Sequence, residues 1–192
     1  FPLEFKDKIT QPLAVFDYDK QRNYRFLVTQ NETILMYDAK GKAVKGFKYK
    51  PSESISSQPK HFRIRGKDFI VFSAGDALKI LNRRGATRIN VKERINFSGE
   101  AIYLYNSLFT TTNTKGDLVQ VNTKGTVSRQ NLGLDSKHDI TTSSKTLVTR
   151  SDNKLSIKSN TVDLDYGSYT APRLFYLRDK IYISITDLQA QK

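Results

Sequence analysis

The chain has 192 residues, of which 27% are charged and 38% apolar, with a net charge of +13 and no cysteine. This composition argues for a folded domain over a disordered one, and it excludes disulfides, thiolate catalysis and cysteine metal sites. No apolar run approaches the roughly 20 residues of a membrane-spanning helix. The charge is uneven: residues 1–39 carry 5 Lys or Arg and 6 Asp or Glu, residues 40–94 carry 15 and 4, and residues 95–192 carry 12 and 9. The central excess reads either as attraction to a polyanion such as nucleic acid, anionic lipid or acidic glycan, or as a solvated lysine-rich surface.

Helical periodicity is nearly absent along the chain, and short runs rich in Val, Ile, Thr, Tyr and Phe recur between Gly, Asn, Asp and Ser. Residues 1–5, Phe-Pro-Leu-Glu-Phe, resemble a last strand comparable to Phe47-Lys48-Tyr49. A first group of strands is predicted over 12–16, 24–30, 33–38 and 43–49. Between the first two lies Asp17-Tyr18-Asp19-Lys20-Gln21-Arg22-Asn23, with oxygen-bearing side chains at alternate positions. A calcium loop needs six to eight oxygens and a glycine for its sharp turn. Here Gln21 and Arg22 stand in those places, so Asp17 and Asp19 are the metal candidates of an incomplete pattern that reads as a turn rich in side chain–backbone hydrogen bonds.

The third and fourth strands are joined by Asp38-Ala39-Lys40-Gly41-Lys42. Gly41 and Gly46 have the glycine spacing of a phosphate loop, but Phe47 and Lys48 replace its Lys-Ser/Thr and no helix pattern follows. A tight turn is the better reading, and the turn recurs as Asn82-Arg83-Arg84-Gly85-Ala86 and Asn122-Thr123-Lys124-Gly125-Thr126. A degenerate copy ends at Asn160, where the others have glycine. Asp and Asn favour the start of such turns, and Gly or Asn tolerates positive φ.

Around these marks the same four-strand pattern repeats: 60–64, 68–73, 77–82 and 87–91, then 101–105, 108–112, 117–121 and 126–132, then 138–142, 146–150, 154–157 and 161–165. A last pair is predicted over 173–177 and 180–186. His61-Phe62-Arg63-Ile64-Arg65 and Tyr24-Arg25-Phe26 alternate apolar with basic, which turns Phe62, Ile64, Tyr24 and Phe26 inward and the arginines outward. His61 and His138 both fall near the start of a first strand, and Asp139 is the nearest carboxylate that could join them at a metal. Their spacing fits no metal motif, so repeat-position polarity is the expected reading. Asp163-Leu164-Asp165-Tyr166-Gly167 is likewise an incomplete calcium pattern. No serine elbow or cysteine–histidine pair is present, so no catalytic residue is assigned.

Four-stranded units of roughly 40 residues are the signature of a β-propeller. The expected fold is therefore all-β: a β-propeller of four-stranded antiparallel blades, with about four full blades and partial blades at each end. The blades span approximately 12–52, 60–98, 101–136 and 138–168, and a partial blade is formed by 170–192 with 1–6. Over essentially its whole length the chain resembles the propellers of the pyrroloquinoline-quinone-type and WD-repeat-like families. It resembles in particular envelope propellers of Bacteroidetes-type bacteria with tandem Y-D-x-x-G-K repeats. The Trp and Gly signatures of quinone-binding blades and the Trp-Asp pairs of WD repeats are missing.

The resemblance implies a binding face made of the second-to-third strand loops and the blade-to-blade loops. The former carry Asn31, Asp76, Lys115 and Asp152. The latter are 50–59, 92–99, 133–137 and 166–172, and the first contains Ser52, Glu53, Ser54, Ser56 and Ser57. The ligand-face candidates are Lys50, Asp76, Lys92, Arg94 and Tyr169. The expected function is a non-catalytic interaction or scaffold module with no cofactor, part of a longer bacterial protein, since the chain opens on Phe1 rather than Met. Its expected partner is a protein or the rest of the same polypeptide, in an extracytoplasmic location (periplasm or cell envelope). The alternatives are a polyanion- or nucleic-acid-binding module, and a glycan- or small-molecule-processing enzyme that uses channel carboxylates.

Overall fold

A computed structural model of the chain describes residues 3–50 and 52–189. It is all-β, with no helix among the described residues. The chain divides into two compact units, Phe1–Ile95 with Thr123–Thr126, and Asn96–Asn122 with Val127–Lys192.

Unit 1 holds two antiparallel meanders. The first is β1 (Ala14–Phe16), β2 (Arg25–Gln30) and β3 (Thr33–Asp38). The second is β4 (Lys60–Ile64), β5 (Lys67–Ala74), β6 (Ala77–Leu81) and β7 (Thr87–Ile89), with a register irregularity where β6 meets β7. The core joins the two sheets: Phe16, Leu27, Ile34 and Met36 of the first cluster with Ile70, Phe72, Ala74 and Leu81 of the second. Ile70, Val71 and Phe72 are all fully buried, so both faces of β5 are covered and its apolar run does not alternate. Each such side chain contributes about 1.5–3 kcal/mol relative to an exposed one.

Unit 2 holds β8 (Tyr103–Tyr105), β9 (Leu108–Thr112), β10 (Asp117–Val121) and β11 (Val127–Asn131) in one meander. A second meander is β12 (His138–Thr142), β13 (Leu147–Ser151), β14 (Lys154–Ile157) and β15 (Asn160–Asp163). The pair β16 (Arg173–Leu177) and β17 (Lys180–Ser184) follows. Phe109, Val119, Val121 and Val148 are its most buried apolar side chains among the described residues. The last pair is more open: Phe175 and Tyr182, cross-strand partners, stack at 5.5 Å on an exposed face.

One predicted strand is absent. Residues 43–49 make only the isolated bridge Tyr37↔Ala43. Val44 N donates to Met36 O at 2.9 Å, and then Gly46 at φ 81° turns the chain back, with Phe47 N donating to Val44 O. The segment leaves its sheet, and Lys48 N donates instead to Arg84 O at 2.8 Å. Leu3 to Phe5 are not a strand either; Phe5 meets Tyr37 edge-on at 5.8 Å without a backbone ladder, and Phe1 and Pro2 lie outside the described residues. Tyr24 is exposed rather than inward, because it lies just before β2.

The repeated turns are built as their residues require. The Asp38 carboxylate accepts from Lys40 N and Lys42 N, both at 2.9 Å, while Gly41 N donates to Asp38 O. Asn82 accepts in the same way from Arg84 N and Ala86 N. The N–H groups that could have cradled a phosphate are thus occupied by the turn's own side chain. Asn113 closes an identical turn, accepting from Lys115 N and Asp117 N, but between the second and third strands of its sheet. The degenerate fourth copy is built differently: Asn160 opens β15, paired with Ile157, and the positive φ sits on Lys158 in a two-residue turn.

A further repeat lies at the end of each sheet's second strand. The segment entering the sheet donates a backbone N–H there: Thr10 to Thr29 O, Ser56 to Ser73 O, Ser98 to Thr112 O and Thr170 to Thr186 O, at 2.9–3.1 Å. Asp135 N reaches the Ser151 hydroxyl instead, at 2.9 Å. Side chains reinforce the join, most directly in the hydroxyl pairs Ser56–Ser73 and Ser98–Thr112, each at 2.8 Å.

Gly85 and Gly66 separate backbone strain from packing. Both have positive φ, but a Cβ on Gly66 meets open space, whereas one on Gly85 meets the Lys48 carbonyl at 2.7 Å. Gly66→Ala is expected to cost about 1 kcal/mol and Gly85→Ala at least about 3 kcal/mol in denaturant unfolding. Equal costs would mean that the Lys48 contact does not constrain the fold.

Candidate functional site

At the second-to-third strand end of the sheets, the connecting segments are bonded to the hairpin turns. Ile55 N donates to Asn31 O at 2.9 Å, Ile95 N to Asp76 O at 2.8 Å and Leu164 N to Asn153 O at 2.7 Å. The hairpins are tight because Asn31, Gly75 and Asp152 adopt positive φ. The loop residues therefore stand on a fixed rim.

In unit 1 this rim assembles Arg94, Asp76 and Glu53. The Arg94 Nη1 lies 2.6 Å from Asp76 Oδ1 and 3.1 Å from Glu53 Oε1. Those bonds, first with Glu53 and then with Asp76, hold the guanidinium pKa above its ordinary value. Gly75 lies beneath them at positive φ, and a Cβ there would displace the Glu53 carboxylate from its present position. Two of the five sequence-selected residues thus meet. Lys50 and Lys92 stand exposed in connecting segments and do not join them. Glu53 was legible as a loop residue but not as the partner of Arg94, because 41 residues separate them.

In unit 2 the rim forms a cleft of about 430 Å³ lined by Asp135, Lys137, Arg150, Asp152, Gly167, Ser168 and Tyr169. Tyr169 is the one sequence-selected ligand residue here. Its hydroxyl donates to Asp165 O at 2.6 Å, and partial burial with the nearby Asp187 and Asp165 carboxylates pushes its pKa up. Arg150 pairs with the Asp139 carboxylate and donates to Asp152 O at 3.2 Å, while its buried Nε–H finds no partner. Asp135 accepts from the Ser151 hydroxyl at 2.8 Å. Lys137 is exposed at the cleft. The cleft thus offers both signs of charge, a hydroxyl and an aromatic ring within one concavity.

The metal candidates are committed elsewhere. Asp17 accepts from Gln21 N and Arg22 N at 3.2 and 2.9 Å, as a turn-closing carboxylate does. Asp19 takes the Arg83 Nη2 at 2.8 Å. Among the described residues no group of three or more His, Asp or Glu is placed to hold a metal ion. His138 is buried with both ring nitrogens engaged, Nδ1 with Asp135 O at 2.6 Å and Nε2 with the Thr112 hydroxyl at 2.7 Å. A carbonyl can only accept, so Nδ1 carries a proton and donates it to Asp135 O. Asp139, its suggested metal partner, belongs to Arg150.

His61 belongs to a buried charge network. Asp68 receives His61 Nε2 at 2.8 Å and Arg83 Nε at 2.7 Å, and Arg83 lies 4.5 Å over the Tyr18 ring, which also meets His61 edge-on. Burial pushes the Asp68 carboxyl up, but the hydrogen bonds from His61 and Arg83 outweigh it and hold the group below its ordinary value. Burial raises the Tyr18 phenol well above its own, and its hydroxyl has no hydrogen-bond partner. The network closes on itself and serves the packing of β4 to β7 on β1.

No protein-family model matches this chain, and no curated protein matches it.

Asp68 gives a test with a defined sign. Its folded pKa is depressed, so the ionised carboxylate stabilises the fold above about pH 4, and that contribution is lost as pH falls through the folded value. Asp68→Asn is expected to cost about 2–3 kcal/mol at neutral pH, because His61 Nε2 loses its carboxylate and Arg83 keeps only Asp19. Urea unfolding between pH 3 and 7 should also show a flatter pH dependence in the variant, below about pH 5.

Proposed function

We propose that the chain is an interaction module built from propeller-type blades, and that the loop end of its sheets receives a protein partner. The blade reading is supported by the repeated meanders, in which each strand pairs with its sequence neighbour, and by the bond from entering segment to second strand, made to a carbonyl in four sheets and to the Ser151 hydroxyl in the fifth. A blade of this kind fixes its loops at one end while leaving their side chains free to vary.

The observation that carries the partner reading is the cleft around Tyr169. It combines Lys137 and Arg150 with Asp135 and Asp152. Its size suits a short peptide segment rather than a flat surface. Charges of both signs within a few residues suit a partner that itself carries both, and an aromatic ring with an arginine forms the kind of centre on which protein interfaces depend. The Arg94–Asp76–Glu53 cluster stands on the equivalent end of a unit 1 sheet and would present a second charged contact.

The test uses the chain with its native flanking sequence as bait. A recovered partner is purified and titrated against wild type, against Lys137→Glu with Tyr169→Ala, and against Arg94→Glu. The cleft double variant should weaken binding at least about tenfold, equivalent to about 1.4 kcal/mol, with an unchanged unfolding midpoint. Equal affinity, failure to recover any partner, or turnover of a substrate by the bait would each overturn the reading.

A further inference from the structure

Two stretches of unit 1 hold cations without any carboxylate. Residues 39–50 carry Lys40, Lys42, Lys45, Lys48 and Lys50; residues 82–92 carry Arg83, Arg84, Arg88 and Lys92. Arg83 is withdrawn by its bonds to Asp68 and Asp19. The others are exposed.

The fold joins these stretches. Lys48 N donates to Arg84 O at 2.8 Å, and Gly85 lies directly against the backbone of Lys48 and Tyr49. The turn holding Lys40 and Lys42 is closed by Asp38, the nearest acid in sequence. Two backbone N–H groups, Lys42 first, hold that carboxyl below its ordinary pKa, so it remains an acceptor for its own turn. Arg88 is anchored with its guanidinium 5.3 Å over the Phe69 ring. The missing fourth strand is what creates this surface: by leaving its sheet at Gly46, the segment carries Lys48 across to the next sheet's turn.

We propose that this strip, formed by Lys40, Lys42, Lys45, Lys48, Arg84 and Arg88, binds the phosphate backbone of duplex nucleic acid without reading its sequence. The apolar residues within the strip, Val44, Phe47 and Tyr49, pack against the core. No aromatic of the strip is therefore presented for stacking on unpaired bases, as single-strand binding requires. No apolar side chain of the strip is presented for entry into a bilayer. What remains is a set of exposed cations on a fixed backbone, and exposed cations of this kind neutralise the phosphates of a duplex. The strip gathers at the third-to-fourth strand turns of unit 1 and shares no residue with the Tyr169 cleft or the Arg94 cluster, so the two readings stand or fall separately.

The test is fluorescence anisotropy of the full chain with a labelled 30-base-pair DNA duplex across a salt series. About four to six phosphate contacts should give a slope of log affinity against log salt near −4 to −5. Lys40→Glu/Lys42→Glu/Lys48→Glu should lower affinity at least about tenfold and reduce the slope by about three. A charge-matched control, Lys145→Glu/Lys154→Glu/Lys180→Glu in unit 2, should change it much less. Circular dichroism checks that both variants fold, and Lys40→Gln/Lys42→Gln/Lys48→Gln provides a milder second variant. An equal loss in the control would reduce the effect to net charge and overturn the proposal. So would unchanged binding in both strip variants, or binding of heparin or anionic vesicles with none of duplex.

Discussion

A segment of chain entering a β-meander must give its backbone N–H to something, and in this protein the acceptor is the end of the sheet's second strand. Thr10, Ser56, Ser98, Asp135 and Thr170 all make that bond. The consequence runs in both directions. Toward the sheet, it fixes where the first strand starts and hence its register. Toward the loops, it pins the connecting segment over the hairpin turn, so Ile55, Ile95 and Leu164 can each donate to a turn carbonyl. Loops bonded at two points present side chains from a fixed position, and the Arg94 cluster and the Tyr169 cleft both stand on such loops. The hydroxyl pairs beside the bond add directional contacts where a bare main chain would have only one.

The basic residues are divided between two roles by what surrounds them. Arg83, Arg94 and Arg150 each lie between carboxylates or carbonyls and organise the structure around them. Arginine suits this task because its planar fork reaches two acceptors at once, as Arg83 does with Asp68 and Asp19. The lysines of residues 39–50 have no such acceptors near them in sequence, and the turn that carries Lys40 and Lys42 satisfies itself through Asp38. Their charge is left to the solvent side. A high net charge is therefore a sum of two populations, only one of which is available to a partner.

Much of the architecture was legible in the residues. Seventeen strands form among the described residues, and nearly all fall where short β-branched and aromatic runs lie between turn residues. The Asx-x-x-Gly turns were recognisable because a side-chain acceptor and a positive-φ glycine are both local requirements. The failures were non-local or chemically ambiguous. Residues 43–49 have strand-forming composition, yet Gly46 and an acceptor on Arg84 draw them away. The turn at Asn113 has the same four residues as the one at Asn122, but a turn's sequence does not say which pair of strands it joins. The hydroxyl pairs escaped notice because serine and threonine are common, and only their distance in space marks them.

By itself the sequence determined that this is a β-protein of repeated short meanders, where the turns fall, and that its positive charge is concentrated in the middle of the chain. Those properties depend on neighbours a few residues apart, where side-chain period and φ preference act directly. Only the tertiary structure decided which charges meet. Arg94 finds Glu53 from 41 residues away, and Arg83 finds Asp19 from 64. It also decided that Lys48 lies beside Arg84, and that Asp135, Arg150 and Tyr169 share one cleft. Such pairings depend on how strands stack and where a connecting segment is pinned, and no local preference of the residues involved encodes that distance.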